Sequence, residues 1–222
     1  MRDFRDTKLY DLFAASPLIL WYAFAATGLW PQIEQAFRAG LATHTIGPLL
    51  ESLSLFASLG FIALEILTFF IRATPVRFSE TWTSRAVSLI AANLGVAFLV
   101  LPRAQLSLTA AAISSTLSIS GSVMAIIVLG WLRRSFSILP QARRLITTGP
   151  YRLVRHPLYL AEAIGGLGVM MQFQQPWAAF IAAGVFALQF PRMHYEEQVL
   201  GKAFPSYRAY SAQTARLLPG IY

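Results

Sequence analysis

A dense group of prolines, tyrosines and basic side chains lies in the stretch GPYRLVRHPLY, which begins at Gly149. Pro157 disfavours a helical conformation at His156 and favours the first turn of a helix that follows. His156 is therefore expected beside the free N–H groups of a helix N-terminus, where anions such as carboxylates bind. The same stretch supplies Tyr151, Arg152, Arg155 and Tyr159. An ordinary basic loop beside a membrane, with tyrosines at the interface, is the alternative explanation.

A second group of polar side chains lies about 40 residues later, in the stretch FPRMHYEEQVLGKAFPSYRAY. Glu196 and Glu197 are expected just past the end of an apolar helix, and Arg192 precedes Glu196 by four residues, which places both on one helical face. Paired acids at a membrane surface bind a cationic group or act as a base. The alternative is a solvated helix end held by salt bridges.

A predicted helical hairpin joins the two stretches, so its two ends must lie side by side. Together they offer acids, aromatic faces and anion-binding N–H groups around one pocket. This set suits a zwitterionic ligand with a cationic centre, because aromatic faces attract cations. A sulfonium methyl donor fits the description, although these residues do not single it out.

The combination of GPYRLVRHPLYLAE, a hairpin, the acid pair and two later tyrosines resembles the isoprenylcysteine carboxyl methyltransferase and phospholipid methyltransferase superfamily. The resemblance covers about residues 139–222. It implies S-adenosyl-L-methionine as the methyl donor, bound in a cytoplasm-facing cavity between the HPxY segment and the helix that carries the acids. It also implies a lipophilic acceptor that enters from the bilayer between helices.

Position by position, the resemblance implies the following site. The cofactor-binding residues are Tyr151, His156, Pro157, Tyr159, Glu196, Glu197, Tyr207 and Tyr210. The catalytic residues are Arg192 and Glu196. Three features depart from the family pattern: Ala161 stands where glycine is frequent, Phe204-Pro205 replaces the usual FG, and the GxG element of the phospholipid N-methyltransferases is not evident.

Methyl transfer from a sulfonium is an in-line displacement that depends mainly on positioning and the exclusion of water. A carboxylate acceptor needs a cation to orient it, which Arg192 could supply, whereas an amine needs a base, for which Glu196 or Glu197 is a candidate. We favour carboxyl O-methylation over N-methylation, because the GxG element is missing. A prenylated protein, a free lipid, an isoprenoid acid and a quinone-like molecule all remain open as acceptors.

Two other functions compete with this prediction. Membrane sterol and enone reductases, which use NADPH, look similar in their C-terminal third, although the acid pair fits a methyltransferase better. A small transporter or membrane scaffold would not be an enzyme, and a transporter would be expected to show internal repeats or broken helices. No metal is predicted, since the chain lacks cysteine and His44, His156 and His194 show no metal-ligand spacing.

Composition identifies the elements that must position these residues. Of the 222 residues, 56% are hydrophobic and 13% are charged, about half the charged share of a soluble domain. The chain is therefore expected to be an all-α integral membrane bundle with a C-terminal helical hairpin and a cytoplasmic cofactor pocket. About six transmembrane segments are predicted, at residues 12–30, 49–71, 86–101, 108–132, 158–173 and 177–190. We treat residues 1–222 as one domain, with four helices in residues 1–135 and the cofactor-binding region in residues 136–222.

The distribution of basic residues predicts the orientation. All 18 lysines and arginines except Arg38 and Arg103 fall in alternate loops and the termini, which places both termini and the loop at residues 133–157 in the cytoplasm. The net charge of +8 is then an orientation signal with some attraction to anionic lipid, and it does not require a nucleic-acid partner. Membrane lipids and the lipophilic acceptor are the expected partners, and the oligomeric state stays open. The N-terminal stretch, which includes Arg2 and Arg5, carries acids and no small-residue cleavage site, so no signal peptide is predicted.

Polar residues inside the apolar segments are weaker candidates for functional residues. Glu65 and Asn93 are functional candidates because intramembrane polar groups are costly, but Glu65 could also simply reach water or Arg72. The serines of the fourth segment are expected to allow close helix packing. They are Ser114, Ser115, Ser118 and Ser122.

Overall fold

The computed structural model describes residues 7–220, apart from the side chain of Leu99. Arg2 and Arg5, which contribute to the predicted charge distribution, lie outside the described residues. The described part of the chain contains seven α-helices: α1 (Lys8–Thr43), α2 (Ile46–Ile71), α3 (Trp82–Asn93), α4 (Leu108–Leu132), α5 (Pro157–Met171), α6 (Trp177–Ala203) and α7 (Tyr207–Gln213). Short 3₁₀ segments occupy Leu94–Val100, Arg133–Ser135 and Gly149–Arg152.

Three helical segments are long and apolar enough to cross a membrane: Lys8–Thr43, Ile46–Ile71 and Leu108–Ser135. The chain is therefore a helical membrane protein, as its composition predicts. Helix α5 is apolar but has only 15 residues, fewer than the roughly 20 that a perpendicular span needs. The total of six spans stays a prediction.

Three predicted segments differ from the structure by four or more residues at one end or both. Helix α1 continues past residue 30 to Thr43, so Arg38 lies in a helix rather than in a loop. The third predicted segment begins earlier, at Trp82, and its α-helix ends at Asn93, whose side-chain amide donates to the Leu89 carbonyl. Helix α6 runs through Pro191 to Ala203, because the residues that follow the proline are mostly good helix formers.

Helices α4 and α5 approach each other closely through small residues. A Cβ atom added to Gly121 of α4 would lie 2.4 Å from the Cα atom of Gly165 of α5. The Ser114 hydroxyl donates to the Gly168 carbonyl at 2.8 Å, and Ser118 is buried against Gly168. The predicted packing role of these serines is confirmed at Ser114 and Ser118. This contact fixes α5, and with it the HPxY segment, against the long helix α4.

A buried ion-pair cluster joins the start of α1, the end of α2 and the loop after α4. The Asp11 carboxylate accepts from Arg72 Nε at 2.9 Å and from Arg143 Nη2 at 2.7 Å. Lys8 Nζ donates to the Arg72 carbonyl at 2.6 Å. The alternative that Glu65 reaches water or Arg72 is not supported, because the Arg72 guanidinium binds Asp11 and Glu65 is only 7% exposed.

A two-stranded antiparallel ladder covers the same end of the bundle. Strand β1 (Arg77–Phe78) pairs with β2 (Gln141–Ala142), and hydrogen bonds from Val76 and Ser79 extend the pairing. The loop that follows α2 therefore holds the loop that follows α4. At the opposite end of the bundle, Arg103 donates to the side chains of Gln172 and Gln32.

Candidate functional site

Helices α5 and α6 form the centre of the site through a series of contacts between their facing sides. His156 is the residue before α5, where Pro157 at the first helical position excludes a regular helical residue. Its imidazole lies 3.0 Å from Glu197 Oε1 and stacks on the Tyr159 ring, with 5.3 Å between the ring centroids. Tyr159 in turn donates its hydroxyl to Glu196.

Arg192 is buried beneath these groups and contacts both helices. Its guanidinium carbon lies 4.7 Å from the centroid of the Tyr159 ring, and its Nε lies 3.7 Å from Glu196 Oε1. Its Nη2 atom donates to the Ile138 carbonyl at 3.5 Å. The predicted placement of Arg192 and Glu196 on one helical face is confirmed. Both residues lie within α6, so the prediction that the acid pair follows the end of this helix is wrong.

Glu197 binds two arginines and a histidine. Arg216 donates to both carboxylate oxygens, at 3.0 and 2.6 Å, and Arg155 Nη1 lies 3.1 Å from Glu197 Oε1. Burial alone would raise the pKa of Glu197, but the hydrogen bonds from His156 and Arg216 and the charge of Arg155 lower this pKa to about 2. Glu197 is therefore a carboxylate at neutral pH. It links α6 to Arg155 and His156, which precede α5, and to Arg216, which follows α7.

The segment after α7 completes this arrangement through its backbone. The N–H groups of Arg155 and His156 donate to the carbonyls of Ala215 and Arg216, at 2.8 and 3.0 Å. Leu217 is buried beside Tyr159 and Met193. The N–H groups just before α5 are thus engaged by the C-terminal segment, and the position of His156 depends on it.

A cavity of about 110 Å³ lies between these elements and the loop after α4. Seven of the nine predicted site residues line it: Tyr151, His156, Tyr159, Arg192, Glu196, Tyr207 and Tyr210. Pro157 and Glu197 do not line the cavity, but both contact or adjoin His156, which does. The structure therefore brings both predicted stretches to one cavity, while the role of each residue stays a prediction.

The two tyrosines of α7 close one side of the cavity. The Tyr210 hydroxyl donates to the Tyr151 carbonyl at 2.6 Å, and the rings of Tyr207 and Tyr210 meet edge to face. Burial raises the pKa of Tyr210 to about 12 and also raises the pKa of Tyr207. Both hydroxyls are therefore protonated at neutral pH.

Several residues at the site were not predicted from the sequence. Arg216 lies in the C-terminal segment and belongs to no local motif, and Arg143 and Arg144 reach the cavity from the loop after α4. Glu162 and Gln189 are bonded to each other between α5 and α6. A signal for this pair was present, since Glu162 follows Tyr159 by three residues and Gln189 precedes Arg192 by three.

Comparison with known proteins identifies the family of the segment that carries the site. Residues 103–206 match the phospholipid methyltransferase family. This part of the chain is similar to that family. The match confirms the resemblance seen in the sequence, which lies within the superfamily of isoprenylcysteine carboxyl methyltransferase-like membrane methyltransferases. The match is in keeping with a membrane methyltransferase.

The boundaries of the family match differ from those of the predicted resemblance. The match begins ahead of α4 and ends at Ser206. It therefore includes the methyltransferase segment from α4 to α6, with His156 and the acid pair. Tyr207, Tyr210 and Arg216 lie beyond it.

Two curated proteins are similar over a shorter stretch. The nickel-cobalt-cadmium resistance protein NccN of Alcaligenes xylosoxydans xylosoxydans is 33% identical over 82 residues, which is 36% of this chain and 38% of that protein. The cobalt-zinc-cadmium resistance protein CzcN of Cupriavidus metallidurans (strain ATCC 43123 / DSM 2839 / NBRC 102507 / CH34) is 36% identical over 78 residues, 35% of this chain and 36% of that protein. The chain thus matches less than two fifths of the length of these relatives.

Proposed function

We propose that the protein transfers a methyl group from S-adenosyl-L-methionine to a lipophilic acceptor at the cytoplasmic face of the membrane. The observation that carries the proposal is the convergence of α5 and α6 at one cavity within a methyltransferase family segment. At that cavity Glu196 offers a carboxylate, and Tyr159, His156 and Tyr207 offer aromatic faces. This is the combination that a cationic sulfonium ligand requires.

Unpaired polar atoms around the cavity fit the anionic end of the same ligand. Among residues 7–220, the Nε atoms of Arg155 and Arg192 and the hydroxyl of Tyr207 are buried without a hydrogen-bond partner. Buried donors are normally satisfied, so such atoms need an explanation. Polar groups on a bound carboxylate or ribose would satisfy Arg155 and Tyr207, and an acceptor carboxylate would satisfy Arg192. The residues present therefore fit S-adenosyl-L-methionine.

Each part of the site has a defined task in this mechanism. S-adenosyl-L-methionine, when bound, supplies an electrophilic methyl group on a sulfonium that leaves as a neutral thioether. Glu196 would hold the positive end of the ligand, and Arg155 and Tyr207 would hold its polar groups. The stacked rings of His156 and Tyr159 exclude water, which keeps the nucleophile desolvated. Glu197 positions His156 through a hydrogen bond and ion pairs.

The nucleophile decides what Arg192 and Glu196 do. A carboxylate acceptor would attack through an oxygen lone pair and be oriented by Arg192, as the sequence analysis favoured. An ammonium acceptor would first give a proton to Glu196 and then attack through the nitrogen lone pair that this frees. The family match is compatible with both reactions.

The two competing functions have less support. A reductase would need NADPH, and the family match favours a methyltransferase over this alternative. A transporter or scaffold gives no reason for the unpaired donors around the cavity. The names of the two relatives concern metal resistance, but residues 7–220 contain no group of three or more His, Cys, Asp or Glu side chains placed to hold a metal ion. The proposal therefore rests on the family and the site.

Calorimetric binding to detergent-purified protein tests the proposal. We expect saturable binding of S-adenosylhomocysteine and none of NADPH. Glu196→Gln should weaken the first by about tenfold or more, because the charged contact of the carboxylate with the ammonium group of S-adenosylhomocysteine is lost. Glu80→Gln is the matched control, since Glu80 lies on the same end of the bundle, is exposed and pairs with Arg77 and Lys202.

If the protein binds only NADPH, the proposal is wrong and the reductase function is favoured. Folded protein that binds neither ligand would favour the scaffold. If Glu196→Gln and Glu80→Gln lose S-adenosylhomocysteine binding equally, Glu196 does not contact this ligand.

A further inference from the structure

The buried cluster around Asp11 reaches the methyltransferase cavity through one of its arginines. Arg143 binds Asp11 and is also among the residues that line the cavity of about 110 Å³. Arg72 binds the same carboxylate but does not line the cavity. Asp11 and Arg72 lie outside residues 103–206, so this contact joins the first two helices to the segment that matches the family. The cluster is therefore a candidate for a part in ligand binding as well as in the fold.

The contacts of Arg143 leave one of its donors unused. Its Nη2 atom donates to Asp11 Oδ1 and to Gln141 Oε1, both at 2.7 Å. Its Nη1 atom donates to Asp11 Oδ2 at 3.3 Å and to the Ala73 carbonyl. Its Nε atom is buried and has no hydrogen-bond partner among residues 7–220. Because buried donors are normally satisfied, this atom calls for a hydrogen-bond acceptor from a ligand.

The surroundings of Arg143 also carry more positive than negative charge. Arg72 and Arg143 are 6% and 3% exposed and share the one carboxylate of Asp11, and Lys8 Nζ lies 3.8 Å from the same group. Four arginines line the cavity: Arg143, Arg144, Arg155 and Arg192. Glu196 is the one acid among the described residues that line it. Since buried charge is costly unless it is paired, a ligand with an anionic group would complement this excess.

Asp11 fixes the orientation of the Arg143 guanidinium. The two nitrogen–oxygen contacts form a fork between guanidinium and carboxylate, a geometry that sets direction as well as distance. Arg72 makes a second fork with the same carboxylate, at 2.9 and 3.0 Å. Asp11 itself is 6% exposed and does not line the cavity. Any effect of Asp11 on a ligand would therefore pass through Arg143.

We propose that Arg143 binds an anionic group, a carboxylate or a phosphate, of a ligand in the methyltransferase cavity, and that Asp11 is the positioning residue that holds Arg143 for this task. This inference rests on the proposed function, because it assigns the anionic group to a ligand of that cavity. It extends the site beyond the matched segment to the start of α1. The anionic group belongs either to the methyl donor, which carries a carboxylate, or to a second ligand.

Calorimetric titrations of detergent-purified protein distinguish these two sources. The first two probes are S-adenosylhomocysteine and methylthioadenosine, which lacks the amino-acid part and therefore the carboxylate. The third probe is inorganic phosphate, titrated with S-adenosylhomocysteine present and at constant ionic strength. The test variant is Arg143→Met, which removes the guanidinium and leaves Asp11 paired with Arg72.

We expect Arg143→Met to weaken binding of an anionic probe about tenfold or more, because a hydrogen bond to a charged group is lost. If S-adenosylhomocysteine is weakened and methylthioadenosine is not, Arg143 binds the carboxylate of the methyl donor. If phosphate is weakened and S-adenosylhomocysteine is not, Arg143 binds an anionic group of a second ligand. Arg72→Met is the matched control, because it loses a similar fork to the same carboxylate away from the cavity. It should leave all three affinities near those of the wild type.

The positioning role of Asp11 has its own test. Asp11→Asn should weaken the same probe as Arg143→Met, and the two changes combined should add little, because both remove one shared interaction. A merely structural role would weaken all three probes alike. If Asp11→Asn fails to fold, Asp11→Glu keeps the charge and displaces the carboxylate by one methylene. It should weaken the same probe by a smaller factor.

Unchanged affinities in Arg143→Met would overturn the inference, as would equal effects of Arg143→Met and Arg72→Met or a loss shared by all three probes. Fully additive losses in the double variant would exclude the positioning role of Asp11. If the wild type binds S-adenosylhomocysteine and Arg143→Met has no selective effect, the inference is wrong and the proposed function survives. If the wild type binds phosphate through Arg143 but no S-adenosylhomocysteine, the proposed function is wrong and the anion site remains.

Discussion

Glu196 and Glu197 are adjacent in sequence but have different surroundings. Successive residues of a helix point about 100° apart, so neighbouring acids can face different partners. Glu197 faces Arg155, His156 and Arg216, whereas Glu196 faces Tyr159, Arg192 and the cavity. Glu197 therefore stabilises the site, and Glu196 is available to a ligand.

The low pKa of Glu197 predicts acid sensitivity of the fold. Since this pKa is about 2 in the folded protein and 4.5 in the ordinary case, the ionised carboxylate stabilises the fold above about pH 4.5. That contribution is lost as the pH falls from about 4.5 towards 2. We expect the thermal unfolding midpoint of Glu197→Gln to lie below that of the wild type at pH 7 and to change less with acid. Tryptophan fluorescence during heating measures both midpoints. Parallel pH profiles for the two proteins would contradict this role.

The chemistry of single residues was partly readable from the sequence. His156, Tyr159, Arg192 and Glu196 were identifiable because proline, aromatic and acidic residues are concentrated in short stretches. Arg216 was not identifiable, since its contact with Glu197 depends on the path of the chain after α7. A bond made through tertiary structure leaves no local pattern.

At the scale of elements, small residues bring α4 and α5 into close backbone contact. Gly121 and Gly168 leave no room for a side chain between these helices. Without water to drive association, helices in a membrane gain stability from such close packing and from contacts like that of Ser114 with the Gly168 carbonyl. The position of the HPxY segment depends on this packing because α5 begins there.

Gly121→Ala should therefore destabilise the protein. Its Cβ atom would lie within 3 Å of backbone atoms of Gly165 and Ala161, and overpacking of this kind costs about 1–3 kcal/mol. Gly130→Ala is the control on the same helix, because an added Cβ there has no atom within 4 Å and alanine favours a helix by up to about 1 kcal/mol. Unfolding in detergent mixtures compares the two variants. Equal stability would mean that α4 and α5 can separate without cost.

Element positions were more predictable than element ends. Each of the six apolar segments contains a helix, since apolar runs leave few alternatives in a membrane. The extension of α6 to Ala203 was missed because Pro191 suggested an end, although the helix passes through it. The pairing of β1 with β2 was also missed, since strands of two residues carry almost no sequence signal.

At the scale of the whole molecule, the described polar clusters gather at one end of the bundle. The Asp11 cluster, the β1–β2 ladder and the cavity lined by Glu196 all lie where α1 begins and α2 ends, and this end also receives the loop after α4. Arg103 and its partners Gln32 and Gln172 lie at the other end. This separation agrees with the alternation of basic residues along the chain, and the predicted cytoplasmic side is the end with the site.

Cysteine labelling tests this orientation without background, because the chain contains no cysteine. We expect Ala42→Cys to react with a membrane-impermeant maleimide added to intact cells, and Ser206→Cys to react only after permeabilisation. Both positions are exposed, and they lie at opposite ends of the bundle. Labelling of Ser206→Cys from outside, with Ala42→Cys protected, would reverse the predicted topology.

The backbone contact between residues 155–156 and 215–216 has a consequence for the order of synthesis. All the long apolar helices and the acid pair emerge from the ribosome before Arg216 does, so the chain can insert in the membrane while His156 still lacks these backbone and ion-pair partners. We therefore expect the growing chain to be inserted in the membrane with an incomplete site until Arg216 has been translated. Any reaction at this site would begin only after translation of the segment that follows α7.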